Sequence, residues 1–184
     1  MSSRSVLISG AGVAGPTLAY WLARHGFRPT VVERSQGLRS SGNPVDVRGP
    51  ALPVGGGMGI MPRLREAATR ATAMRVVDGS GRQVARIGMP AARGDEVELP
   101  RGDLAAALYD AARDHAEFVF DDTIAALQQD EGGVDVTFDR ADPRRFDLVV
   151  GADGLHSAVR QLAFGPERDF VRHIGVWVAT MPLG

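Results

Sequence analysis

The sequence predicts a three-layer α/β fold built on a parallel sheet, with a small β insertion. Three observations carry that prediction. A β-branched run, Ser5-Val-Leu-Ile-Ser9, leads straight into Gly10-Ala-Gly12-Val-Ala-Gly15 and then into a helical pattern. A second apolar run, Thr30-Val-Val32, ends on Glu33, eighteen residues beyond Gly15. Far downstream, Arg145 to Gly151 is apolar without alternation, as a strand buried on both faces should be, and it runs into the turn Ala152-Asp-Gly154 and a further helical pattern. Alternating strands and helices are the arrangement that builds a parallel sheet.

The first strand must turn sharply at Gly10. The backbone at Gly12 must approach a diphosphate closely, and Gly15 must let the next helix pack tightly against the sheet; a hydrogen side chain permits all three. The helical pattern covers Val13 to His25, with Leu18, Trp21 and Leu22 near helical spacing. Pro16 falls in its first turn, where a missing N–H costs little. The start at Val13 and Ala14 directs unpaired N–H groups and the positive end of the helix dipole at phosphates. Glu33 is placed to accept hydrogen bonds from ribose hydroxyls and to repel a 2′-phosphate, which leaves FAD or NAD in this pocket. A hexapeptide alone would be weak in a chain with 23 glycines, but strand, glycines, helix and acid in register make a Rossmann-like dinucleotide site.

Arg34 to Gly49 reads as a long loop with a short extended piece at Val45-Asp-Val47. Ala51 to Thr72 has helical spacing in Leu64, Ala67, Ala68 and Ala71. Gly55-Gly-Gly57 interrupts it, at a cost of about 3 kcal/mol in a helix relative to alanines, so a break there is left open. Met74 to Val77, the turn Asp78-Gly-Ser-Gly81 and Gln83 to Ile87 form a hairpin signature. Glu96 to Leu99 reads as extended, Pro100 to Asp103 as a turn, and Leu104 to His115 as a helix with Asp103 a candidate cap. Strands follow at Phe118–Phe120, Thr123–Gln129 and Val134–Phe138, a helix at Ser157–Phe164 and a closing strand at His173–Ala179.

Composition narrows the function. The 21 basic residues are all arginine, 22 acids balance them to a net charge of −1, and no basic stripe points to nucleic acid. The chain has no Cys, which excludes disulfides, thiolate metal sites, iron–sulfur clusters and a thiol nucleophile. His25, His115, His156 and His173 are scattered without ligand-spaced acids, so no metal is expected. Asp153, His156 and Ser157 lack the strand-elbow pattern of a hydrolase triad. Asp121-Asp122 and Arg144-Arg145 read as solvated faces, and Trp21 and Trp177 as core or edge packing. No run approaches the ~18 apolar residues of a membrane span, so the expectation is a soluble, cytoplasmic protein acting on a small molecule, with its oligomeric state open.

Two motifs sit together in this chain: Gly10-Ala-Gly-Val-Ala-Gly-Pro16 with Glu33-Arg34 behind it, and Gly151-Ala-Asp-Gly-Leu-His-Ser-Ala-Val-Arg160. The pair resembles the group A FAD-dependent aromatic monooxygenases, of the p-hydroxybenzoate hydroxylase and tetracycline-inactivating type. The second motif is the more specific, matched at Asp153, Gly154, Ser157 and Arg160. The resemblance implies that Glu33 holds the adenosine ribose, that Arg34 lies by the adenine, and that Ile124 offers backbone contacts near the same ring. It implies too that Arg101 and the helix start at Val13 neutralise the pyrophosphate, and that Asp153 and Gly154 serve FAD and the reductant, NADPH or NADH. Gly42 to Arg48 resembles the stretch near the isoalloxazine, making Asp46 and Arg48 candidates for the substrate side. The implied activity is oxygenation of an aromatic or polyketide-like small molecule, with the cofactor carrying the chemistry and no catalytic base required.

The family continues for roughly as long again, through a substrate-binding sheet and a Gly-Asp motif that grips the riboflavin half of FAD. Gly94-Asp95 and Gly102-Asp103 lie before the second motif rather than after it. The expectation is therefore an N-terminal portion: residues 1–170 as an FAD-binding domain with its β insertion around 74–100, and residues 171–184 as the first strand of a substrate-binding domain. Two alternatives stay open, a non-catalytic nucleotide-binding or interaction module and a flavin reductase or dehydrogenase of the same fold.

Overall fold

The computed structural model describes residues 3–38, 43–69, 71–88 and 94–177. Its central layer is a four-stranded, all-parallel sheet. Strand β1 (Ser5–Ser9) lies between β11 (Leu148–Gly151) and β2 (Arg28–Glu33), and β7 (Glu117–Phe120) extends the other side of β2. Successive side chains of β1 point to opposite faces, as the strand period requires. Val6 and Ile8 pack with Val31 under Leu18, Ala19 and Leu22 of helix α1 (Ala14–Arg24). Leu7 and Val32 face the other way, against an antiparallel sheet ordered β10 (Arg144–Phe146), β9 (Gly133–Phe138), β8 (Ile124–Asp130), and against Val159 of α5 (Ala158–Phe164). Burial on both faces explains why this strand reads as continuous apolar sequence.

Beyond α1 a further core gathers α4 (Arg101–Ala112), the short ladder of β3 (Val45–Val47) with β6 (Val97–Leu99), and two short helices, α2 (Ala51–Gly57) and α3 (Met61–Glu66). The glycine run does not interrupt a helix. It ends one, with the break falling at 58–60. Packing accounts for two of the glycines, because a Cβ on Gly55 would lie 2.8 Å from the Met61 sulfur and one on Gly57 2.8 Å from the Trp21 indole. The helical spacing through Ala71 is not realised: α3 stops at Glu66, and Thr69 N donates to Glu98 O at 2.7 Å.

Other boundaries differ for identifiable reasons. The apolar run from Arg145 is two strands in two sheets, split at Asp147, whose carboxylate accepts from Ser5 N at 2.6 Å and Ser5 Oγ at 2.8 Å. Helix α4 begins three residues early, at Arg101 after extended Pro100 (ψ 136°), so Asp103 sits in its first turn and is not its cap. The expected strand at 173–179 is absent over 173–177, which are irregular and exposed, with Gly175 at φ +85°; residues 178 and 179 lie outside the described residues. Trp177 is 88% exposed rather than packed. Asp122 is buried, not solvated, and accepts from the N–H groups of Thr123, Arg140 and Ala141. The hairpin of β4 (Ala73–Val77) and β5 (Gln83–Gly88) forms as expected and leaves Met74, Val77, Val84 and Ile87 exposed.

Candidate functional site

A cavity of about 580 Å³ opens at the C-terminal ends of β1, β2 and β11. Such ends are where open α/β sheets bind ligands. It brings together Gly10, Gly12, Val13, Ala14, Glu33, Arg34, Arg101, Asp153 and Gly154 of the residues singled out in the sequence. Gly15 and Ile124 are not in its wall. Ile124 is 3% exposed in the core under the sheet, and its neighbour Thr123 lines the cavity instead. Asp46 and Arg48 are absent from the wall, and Arg48 lies 3.9 Å from Asp46 in an exposed pair at the end of β3.

The three glycines do different work. Gly10 adopts φ +105°, and a Cβ there would lie 2.7 Å from Ala152 O, so the loop after β11 presses directly on it. A Cβ on Gly15 would overlap the Gly10 carbonyl oxygen, so Gly15 serves the turn more than the sheet, with the Ile8 side chain 3.6 Å away. Gly12 alone faces open space, with nothing within 4 Å of its would-be Cβ. The helix beside it is capped by Val13, which supplies no side-chain acceptor. An apolar cap in place of the usual Ser, Asp or Asn leaves first-turn donors for a ligand.

Glu33 braces the glycine loop from β2: Oε2 accepts from Ala11 N at 2.9 Å and Oε1 from Ser35 N at 3.0 Å. Glu33 also lines the cavity, where a carboxylate is a suitable acceptor for ribose hydroxyls. On the opposite wall the Asp153 carboxylate accepts from Ser157 Oγ at 2.5 Å, Ala158 N at 2.8 Å and Val159 N at 3.2 Å, while Ser157 Oγ accepts from Arg160 N at 3.0 Å. The motif residues Asp153 and Ser157 thus cap α5. His156 Nδ1 lies 2.9 Å from Glu167 Oε2, and Arg160 donates to the same oxygen at 3.3 Å. With Ser157 bonded to Asp153 and His156 to Glu167, no proton relay joins the three. Among the described residues no group of His, Asp and Glu is placed to hold a metal.

Sequence reasoning missed Ser9, Thr123, Leu155 and His156 in the wall. Ser9 and Thr123 carry a readable signal, each lying next to a residue that was singled out. His156 was read only as a failed triad member.

The sequence profile of a family described as "FAD binding domain" matches residues 3–177. An uncharacterised protein of Mycobacterium tuberculosis is 48% identical over 187 residues, covering 97% of this chain and 50% of its own length. The chain spans about half the length of the curated relatives it matches. The crystal structure of the tetracycline destructase Tet(51) superposes with a TM-score of 0.78 at 37% identity, over 89% of this chain and 42% of that one. The flavin-dependent monooxygenase PieE, solved with FAD and substrate, gives 0.72 at 27% identity, over 88% and 32%. Among the described residues no helix is long and apolar enough to cross a membrane.

Proposed function

Since the chain belongs to the FAD binding domain family, we propose that it is the FAD-binding portion of an NAD(P)H-dependent flavoprotein monooxygenase acting on an aromatic or polyketide-like small molecule. The observation that carries the reading is the open cradle at Gly12, beside the unfilled start of α1 and between two loops that face each other across one cavity. A diphosphate needs such a place: backbone N–H groups, a favourable dipole and no Cβ in the way.

In this reading Gly10 to Ala14 hold the diphosphate, with Gly15 supporting the turn from behind. Arg101, at the first position of α4 and in the cavity wall, offsets its charge. Glu33 takes the adenosine ribose, Arg34 lies by the adenine, and Thr123 bounds that end. Asp153 shapes the opposite wall and Gly154 contributes backbone to it. When FAD is bound, hydride acceptance from NADPH or NADH and the activation of O2 are chemistry of its isoalloxazine ring. The chain's own residues bind, orient and shield. Similarity to a tetracycline destructase supports a polyketide-like substrate, and similarity to a monooxygenase solved with FAD and substrate supports a small molecule. With NADPH or NADH as the reductant, a cytoplasmic location fits this reading.

Titration with FAD, followed by flavin fluorescence and thermal shift with ADP in parallel, tests the cofactor site. Saturable binding of both is expected. Failure of both ligands to bind or to raise the unfolding midpoint would overturn the reading.

A further inference from the structure

Strands β1 and β11 are neighbours, and the loops leaving their C-terminal ends form facing walls of the cavity. The loops touch: Ala152 N donates to Ser9 O at 2.8 Å, and Gly10 lies against Ala152 so closely that a Cβ has no room. A side-chain bond joins them as well. Ser9, 4% exposed at the end of β1, donates its hydroxyl to Asp153 Oδ2 at 3.2 Å. The other donors on that carboxylate, Ser157 Oγ and the N–H groups of Ala158 and Val159, all come from α5 and its cap. Asp153 therefore joins the start of α5 to the last residue before the glycine turn.

We propose that Ser9 is a positioning residue for the dinucleotide site, its hydroxyl fixing the wall at Gly154 relative to the loop at Gly10 to Gly12. The inference rests on the reading of this cavity as an FAD site. Without the hydroxyl, Asp153 keeps three donors and α5 keeps its cap, so the fold stands. What loosens is the spacing between the two loops. The part of a ligand held between them, the diphosphate, depends on that spacing; an adenosine held at the Glu33 end does not.

The experiment titrates the wild-type chain, Ser9→Ala, Ser9→Thr, Asp153→Ala and the Ser9→Ala/Asp153→Ala pair with FAD, ADP and adenosine, and measures the unfolding midpoint of each. Ser9→Ala should weaken FAD and ADP about three- to tenfold, the worth of one hydrogen bond setting the upper limit, and adenosine by less than about twofold. Ser9→Thr, which keeps the hydroxyl, should restore ADP binding to within about twofold of wild type. The paired variant should bind ADP within about twofold of Asp153→Ala alone, since both changes break the same bond. Equal weakening of ADP and adenosine, an unchanged ADP affinity in Ser9→Ala, or losses that simply multiply would each overturn the proposal while leaving the FAD reading intact. A wild-type chain that binds neither FAD nor ADP would overturn both.

Discussion

At the scale of single residues, Gly12 and Gly15 separate a ligand role from a structural one. The sequence motif makes all three glycines look alike, because each is explained by the absence of a Cβ. In the structure Gly12 has open space around it and an unstrained φ, while Gly15 lies under the Gly10 carbonyl. Gly12→Val should therefore leave the unfolding midpoint nearly unchanged and weaken FAD and ADP by more than about tenfold, because the isopropyl group fills the diphosphate's place. Gly15→Ala should destabilise the chain by about 2 kcal/mol through overpacking at the turn, read as a drop in the denaturation midpoint. A Gly12→Val protein that binds FAD normally would remove the diphosphate from this loop. Glu33 shows the limit of reading at this scale: its spacing from the glycines marks it as a ribose acid, but its bonds to Ala11 N and Ser35 N emerge only when the loop folds back over β2.

Whole elements were legible where local periodicity and tertiary packing agree. The β1–α1–β2 unit and the β4–β5 hairpin need only local signals, and their bounds stand within two residues of the reading. The second half of the sheet was legible as strand but not as two sheets, because what divides Arg144–Phe146 from Leu148–Gly151 is Asp147 bonding to Ser5, a partner 142 positions away. The glycine run misled for the same reason. Propensity counts its cost, yet the room required by Trp21 and Met61 lies on other segments. Gly57→Ala, favourable by helix propensity alone, should destabilise the chain by about 1–3 kcal/mol because its methyl meets the indole. Ser157→Ala tests the other end of the chain: it removes the acceptor of Arg160 N and should cost about 1 kcal/mol, with α5 amides exchanging faster.

At the scale of the whole molecule, two carboxylates sit where the parallel sheet meets the antiparallel one. Glu117 on β7 accepts from both Arg144 terminal nitrogens, at 3.0 and 2.9 Å, tying the central layer to β10, and Thr30 Oγ1 on β2 adds a third bond at 2.9 Å. The Arg144 guanidinium, helped by Thr30, holds this carboxyl below its ordinary pKa despite partial burial. Asp122 closes the turn from β7 to β8. Burial works to raise its pKa, but the N–H groups of Ala141, Thr123 and Arg140 outweigh burial and hold it low. A carboxyl whose pKa is depressed on folding stabilises the fold fully above its unfolded value, near 4, and loses that contribution as pH falls through the lower folded value. The junction between layers is therefore one acid-sensitive part of the molecule. Unfolding midpoints measured from pH 7 down to about pH 3 should fall, and Glu117→Gln and Asp122→Asn should each start lower at pH 7, by about 5 °C for the buried Asp122, and fall less steeply. Variants that keep the wild-type slope would locate the acid sensitivity at other carboxyls, such as Asp147, which Ser5 holds low where β10 passes into β11.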